Sequence, residues 1–147
     1  MKEKILEALC DLGFKTEECE GLGYAFRYEG LNMLYLNNDD DNSEFLSIAV
    51  PGIYECGEEP CKMMHATALN ERVNYTLRYV KAYILHGNVW LFYERAVLSE
   101  DEDLRLVLSH IVQHLAMAYF FAGKVIEEIE GAKPDDSPGS DVSTEDE

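Results

Sequence analysis

Hydrophobic and polar positions along this chain follow two periods, and the changes between them mark its elements. From Lys2 to Leu12 the apolar residues Ile5, Leu6, Leu9 and Leu12 recur at helical spacing. Gly13 follows where a C-terminal cap takes a positive φ, so a short amphipathic first helix is predicted. Tyr24 to Tyr28 switches to period two, Glu29-Gly30 supplies a turn, and Leu31 to Leu36 returns as a second strand. Past the polar run Asn37 to Ser43, Phe45 to Val50 predicts a third strand that stops at Pro51-Gly52.

Pro60 suits the first turn of a second helix, with Glu58 and Glu59 at the positive end of its dipole. Met63, Ala66, Leu69 and Val73 fall on one side of that helix. Tyr75 to Leu85 and Val89 to Val97 are β-rich runs, and His86-Gly87-Asn88 between them predicts a second hairpin. Ser99 with Glu102 three residues on is a capping-box pattern opening a long third helix, Glu100 to about Glu130. The residues beyond Gly131 carry Pro, Asp, Ser and Gly without a hydrophobic anchor, which predicts a disordered acidic tail at 132–147. The elements run α-β-β-β-α-β-β-α. They predict one α+β domain over residues 1–131, an antiparallel five-stranded sheet with helices packed on it.

Within this order the stretches FRYEGLNMLYL at 26–36, LNERVN at 69–74 and YVKAYILHGNVWLFYE at 79–94, followed by the long helix, resemble the bacterial YbjN-like family. That family groups proposed regulators with the fold of type III secretion chaperones. The resemblance spans about residues 1–130 and implies a small cytoplasmic protein, often dimeric, that binds other proteins and has no established catalytic residues. The shared stretches are packing and turn motifs, so they speak for the fold and only weakly for function. A chaperone role would follow by analogy from the fold alone.

Charge narrows the classes of partner. The 147 residues hold 12 Lys and Arg against 29 Asp and Glu, a net charge of −17. Residues 132–147 contribute six acids and one Lys, so the body itself is acidic. Such a surface repels phosphate backbones, which argues against nucleic acid and anionic membranes as partners. The apolar runs read as broken by a charge, an Asn or a Gly well short of the roughly 20 residues that cross a bilayer, so no transmembrane helix is expected. The start, Met1 to Glu7, carries acids inside its apolar stretch, unlike a secretory signal, and a cytoplasmic location is expected. Cys10, Cys19, Cys56 and Cys61 then read as reduced thiols.

The third helix is the most informative segment. Leu104, Leu108, Ile111, Leu115, Ala118, Ala122, Val125 and Ile129 draw one seam along its length. A second row, His110, His114, Met117 and Phe121, follows the same spacing about a quarter turn away. The apolar arc is wider than a single sheet contact requires, so the second row is the expected interface with a second copy or another polypeptide. His110 and His114 also stand at the spacing that lets two imidazoles reach one metal, but Ile111 occupies the place of the Glu in a zinc-protease motif.

Cys56, Cys61 and His65 have metal-ligand spacing without a fourth ligand, so ordinary thiols and a surface His are the simpler reading. Asp39 to Glu44 resembles a calcium loop, yet a loop starting at Asp39 puts Glu44 where Gly is needed and Val50 where a bidentate Glu belongs. Ser43, Ser47, Ser99 and Ser109 lie in no nucleophile elbow, and Gly21-Leu22-Gly23 is too short to cradle phosphates. The strand aromatics Tyr24, Phe26, Tyr28, Tyr35, Tyr75, Tyr79, Tyr83, Trp90, Phe92 and Tyr93 cannot all face the helices, because strands alternate. Some are expected on the outer sheet face.

The sequence therefore predicts a noncatalytic protein-binding module, chaperone-like or regulatory, homodimeric, with a protein partner and no cofactor or metal. The alternative is a small-molecule or metal-responsive sensor using a pocket between sheet and helices. No enzymatic role is expected.

Overall fold

A computed structural model describes residues 1–37, 45–99 and 101–131. The Asp39 to Glu44 loop, Glu100 and the tail at 132–147 lie outside the described residues. The elements are α1 (Lys2–Asp11), β1 (Glu17–Cys19), β2 (Gly23–Tyr28), β3 (Leu31–Leu36), β4 (Phe45–Glu55), α2 (Pro60–Thr76), β5 (Val80–Leu85), β6 (Asn88–Ala96) and α3 (Leu104–Gly131). The described strands form one antiparallel sheet in the order β1-β2-β3-β4-β6-β5. The α+β class is as read from the pattern; the strand count is not.

The sheet has six described strands rather than five. The extra one, β1, is the acidic tripeptide Glu17-Glu18-Cys19, which pairs Glu17 with Ala25 and Cys19 with Gly23 at the sheet edge. It has no apolar alternation because it buries nothing, so hydrophobic periodicity cannot register it. The strand expected to stop at Pro51-Gly52 continues to Glu55. Its register against β6 shifts between Val50 and Tyr54, and this irregularity absorbs the proline that lacks an N–H for the ladder. Tyr75 belongs to α2 and is 90% exposed, and β5 starts only at Val80.

Both predicted hairpin turns form with two central residues. Glu29 and Gly30 have φ of 49° and 84°, and His86 and Gly87 have 53° and 75°. Positive φ at both positions gives the turn the twist of the strands it joins. The start of α3 differs from the sequence reading. Asp103 Oδ1 accepts from the N–H of Arg105 at 3.1 Å and opens the helix at Leu104. Ser99 and Glu102 close their own turn before it: Ser99 Oγ accepts from Asp101, and Glu102 reaches back to the N–H of Leu98 while pairing with Arg95.

Core residues come from every helix and from alternate strand positions. Ile5 and Leu9 of α1, Leu69 and Val73 of α2, and Leu108, Ile111, Leu115, Ala118, Ala122 and Val125 of α3 are buried with Met33, Leu46, Ile48, Leu91 and Tyr93 of the sheet. The expected α3 seam is the buried one, with Leu104 and Ile129 partly covered at its ends. On α2, Met63 turns outward at 41% exposure, because the inner side is set by Ala66, Leu69 and Val73. The other sheet face carries the cross-strand row Leu34, Ala49 and Phe92, buried outside the helix-side core. Phe92 is covered there by Tyr83, stacked at 4.3 Å between ring centroids, and by Trp90 at 5.9 Å.

The apolar run of α3 is longer than read above. Residues 106–123 hold no Asp, Glu, Lys or Arg, and α3 is long and apolar enough, by length and composition, to cross a membrane. In this fold it lies on the sheet and packs on α1 and α2 as well as on β4, β5 and β6.

Candidate functional site

Two residues set up the most unusual surface of the molecule. The N–H of Val80 bonds to the carbonyl of Arg78 at 2.8 Å, which closes a γ-turn with Tyr79 at its centre and a φ of 70°. This positive-φ turn is rare and strained for a bulky residue. It carries the Tyr79 ring out over α3, where it stacks on Tyr93 at 5.7 Å and meets the edges of His110 and His114 at 5.2 and 5.1 Å. Tyr79, 59% exposed as a residue, thus has its ring held against three others by a costly backbone conformation.

Beneath it the two imidazoles stack on each other at 3.9 Å. His114 Nδ1 sits 2.9 Å from the carbonyl oxygen of His110, so that nitrogen is the donor. His110 Nδ1 is 3.1 Å from the hydroxyl of Tyr93. Burial, the neighbouring His114 and then Arg95 together push the His110 pKa below its ordinary value. The Tyr93 hydroxyl is pushed up, chiefly by burial. The cluster therefore presents four flat, polarisable rings packed edge and face on one another beside α3.

Along α3 the row continues with Met117 at 65% exposure and Phe120 at 70%, with Leu106 at 69% one turn before His110. Of the four residues expected on this row, His110 and Met117 are exposed, His114 is half-buried, and Phe121 is partly buried against the core. The outward aromatic is Phe120. It stands two positions from both Ala118 and Ala122, about 200° around the helix from each, and that offset from the seam is the signal that would have found it. Tyr79 carried no such signal, since its orientation comes from the γ-turn.

The thiols divide. Cys56 is buried and its Sγ donates to the carbonyl of Gly87, which also accepts the N–H groups of Cys56 and Gly57. Cys61 is exposed, with Sγ 3.8 Å from His65 Nε2. Cys61 and His65 are thus together and Cys56 is committed to the β5–β6 turn. No group of three or more His, Cys, Asp or Glu among the described residues is placed to hold a metal ion. A groove of about 740 Å³ runs past Phe14, Ala25, Arg27, Leu34 and Pro51, beside β1 and not between α3 and the sheet.

No protein-family model matches the chain, and no curated protein does. Solved structures do. An uncharacterised protein from Methanothermobacter thermautotrophicus superposes with a TM-score of 0.55 at 21% identity, over 86% of this chain and 96% of that one. YbjN of E. coli, a proposed transcription regulator, superposes with a TM-score of 0.55 at 16% identity, over 88% of this chain and 90% of YbjN. The fold is YbjN-like. At these identities the likeness is one of fold, and it extends along nearly the whole of both solved chains. Within the YbjN-like fold, the three stretches that carry the sequence resemblance occupy the β2–β3 hairpin, the second half of α2 and the β5–β6 hairpin.

Proposed function

We propose that this chain is a noncatalytic, regulatory protein-binding module that works in the cytoplasm. It holds a second copy of itself or another polypeptide, in a chaperone-like manner, on the outward face of α3. The observation that carries this reading is the run of Leu106, His110, Met117 and Phe120 along one side of a single helix, extended sideways by Tyr79. A contiguous apolar patch on a water-facing surface is a mark of an interaction site. Aromatic and Met side chains are also the residue types that dominate binding energy once a partner covers them. The structural neighbours, one uncharacterised and one a proposed transcription regulator, agree with a regulatory or binding role. The net charge of −17 argues for a protein partner over nucleic acid or an anionic membrane.

Light scattering of the purified chain, paired with affinity capture from a bacterial lysate, tests the reading. Met117→Glu and Phe120→Glu are expected to dissociate a homodimer or to remove a stoichiometric partner, with the melting temperature kept. A chain that is monomeric at high micromolar concentration and retains every partner in both variants overturns it.

A further inference from the structure

At the start of α2, four side chains from three elements form one hydrogen-bonded chain. Cys61 Sγ faces His65 Nε2 at 3.8 Å, one turn along the same helix. His65 Nδ1 lies 3.3 Å from the hydroxyl of Tyr54 on β4, and that hydroxyl donates to Glu130 Oε2 at 3.0 Å, near the end of α3. The proton directions follow from one end. Tyr54 has a single O–H, which burial and the hydrogen bond to Glu130 keep protonated by pushing its pKa up to about 12. That proton is given to the carboxylate, so toward His65 the Tyr54 oxygen accepts. Nδ1 is then the donor, and the tautomer with its proton there has the Nε2 lone pair on the side of the sulfur.

A thiol facing an imidazole lone pair, with the imidazole oriented by a third and fourth group, has the arrangement of an activated nucleophile. The helix start adds nothing to it: the N–H groups of Cys61 and Lys62 already donate to the carboxylate of Glu59, at 3.2 and 2.7 Å. Nor do the other thiols share it. Cys56 is buried on Gly87, Cys19 points at the carbonyl of Glu17, and Cys10 lies exposed on α1.

We propose that Cys61 is a reactive thiol, the site at which this protein is oxidised by small uncharged hydroperoxides, with His65 as its base. Sulfur attacks one peroxide oxygen, the S–O bond forms and the O–O bond breaks. The thiol proton passes to His65 Nε2 and on to the departing oxygen, which leaves as an alcohol, or as water from hydrogen peroxide. Sulfur loses two electrons and becomes a sulfenic acid, and the peroxide gains them. Charge selects the class of electrophile. Glu58 and Glu59 precede Cys61 and Glu130 closes the relay, so anionic oxidants are repelled and neutral hydroperoxides are not. This site is separate from the α3 face and stands without the interface proposal.

The test treats the reduced full-length protein with hydrogen peroxide in the presence of dimedone and follows each cysteine by peptide mass spectrometry. Cys61 is expected to be labelled about a hundredfold faster than the exposed Cys10, the lower end of the gain a positioned base gives. His65→Gln should bring Cys61 down to the rate of Cys10, and Tyr54→Phe should lower it partway, while Cys10 labelling and the melting temperature stay as in the parent. Equal labelling of Cys61 and Cys10 in the parent protein overturns the proposal. So does an unchanged Cys61 rate in His65→Gln, or a Cys61 that outpaces Cys10 with iodoacetamide but not with peroxide.

Discussion

Asn74 holds Ala82 by both of its backbone polar groups: the side-chain amide donates to the Ala82 carbonyl at 3.0 Å, and the side-chain oxygen accepts from the Ala82 N–H at 2.6 Å. Ala82 sits on β5, an edge of the sheet. The Asn74 carboxamide thus imitates a strand neighbour at one position and blunts an edge that would otherwise offer its ladder groups to another chain. It also ties the last turns of α2 to the strand that follows, across the γ-turn at Tyr79.

Asn74→Ala should therefore destabilise the fold by about 1–3 kcal/mol, the range for leaving polar groups without their partner. Asn74→Asp keeps the acceptor and loses the donor, so it should fall between the parent and Asn74→Ala. Urea denaturation checks the order, and equal stability of all three proteins contradicts the bidentate role.

Gly23 opens β2 at a φ of 155°, and a Cβ there would lie 2.0 Å from the backbone oxygen of Tyr35. Backbone cannot swing aside as a side chain can. Gly23→Ala is expected to cost about 4 kcal/mol or more. Gly21, with a φ of 79° and open space around it, supplies the control: Gly21→Ala should cost only about 1–2 kcal/mol, for the left-handed conformation alone. Thermal melts of the two variants separate the causes.

The two sides of α3 should respond in opposite ways to truncation. Leu108 and Ile111 are fully enclosed, so Leu108→Ala or Ile111→Ala should remove about 2–5 kcal/mol of stability. Met117→Ala and Phe120→Ala, at 65% and 70% exposed positions, should stay within about 0.5 kcal/mol of the parent in the isolated chain. Chemical denaturation at low protein concentration measures both. A large loss at Met117 or Phe120 under those conditions would mean that the residue supports its own protomer.

Acid should loosen the histidine cluster. His110 has its pKa lowered by burial, by His114 and by Arg95, so below its ordinary value of about 6.5 the unfolded chain takes up the proton more readily than the folded one. The contribution is complete above that pH and is lost as pH falls through the lower folded value. His110 as a whole residue is exposed, so the desolvation of its ring is slight and the effect is small. The melting temperature should drop slightly between neutral pH and pH 5, and His110→Gln should flatten that part of the profile. An identical slope in the variant would assign the acid response to other groups.

What was legible in the sequence and what was not divide along a physical line. Local period encodes which side of an element meets the core, so the α3 seam from Leu108 to Val125, the inner residues Leu69 and Val73 of α2 and the two hairpins could be read from spacing alone. Net charge and the motif stretches likewise belong to the chain itself. The motif ending in Asn74 could be recognised, but not its reason, because Ala82 is a partner only after α2 has turned back on β5. The same holds for β1, an edge strand that buries nothing, and for the passage of β4 beyond Pro51, which β6 makes possible.

The choice of Phe120 over Phe121 as the outward ring was set by the neighbours of α3. That helix packs on two helices as well as the sheet, and the wider buried arc takes in Phe121. Tyr79 over His110 and His114, and Cys61 at the head of a relay reaching Glu130, are juxtapositions of residues far apart in the chain. Only the closing of the fold brings them within hydrogen-bond or ring contact, since spacing along a chain fixes faces and tertiary packing fixes neighbours.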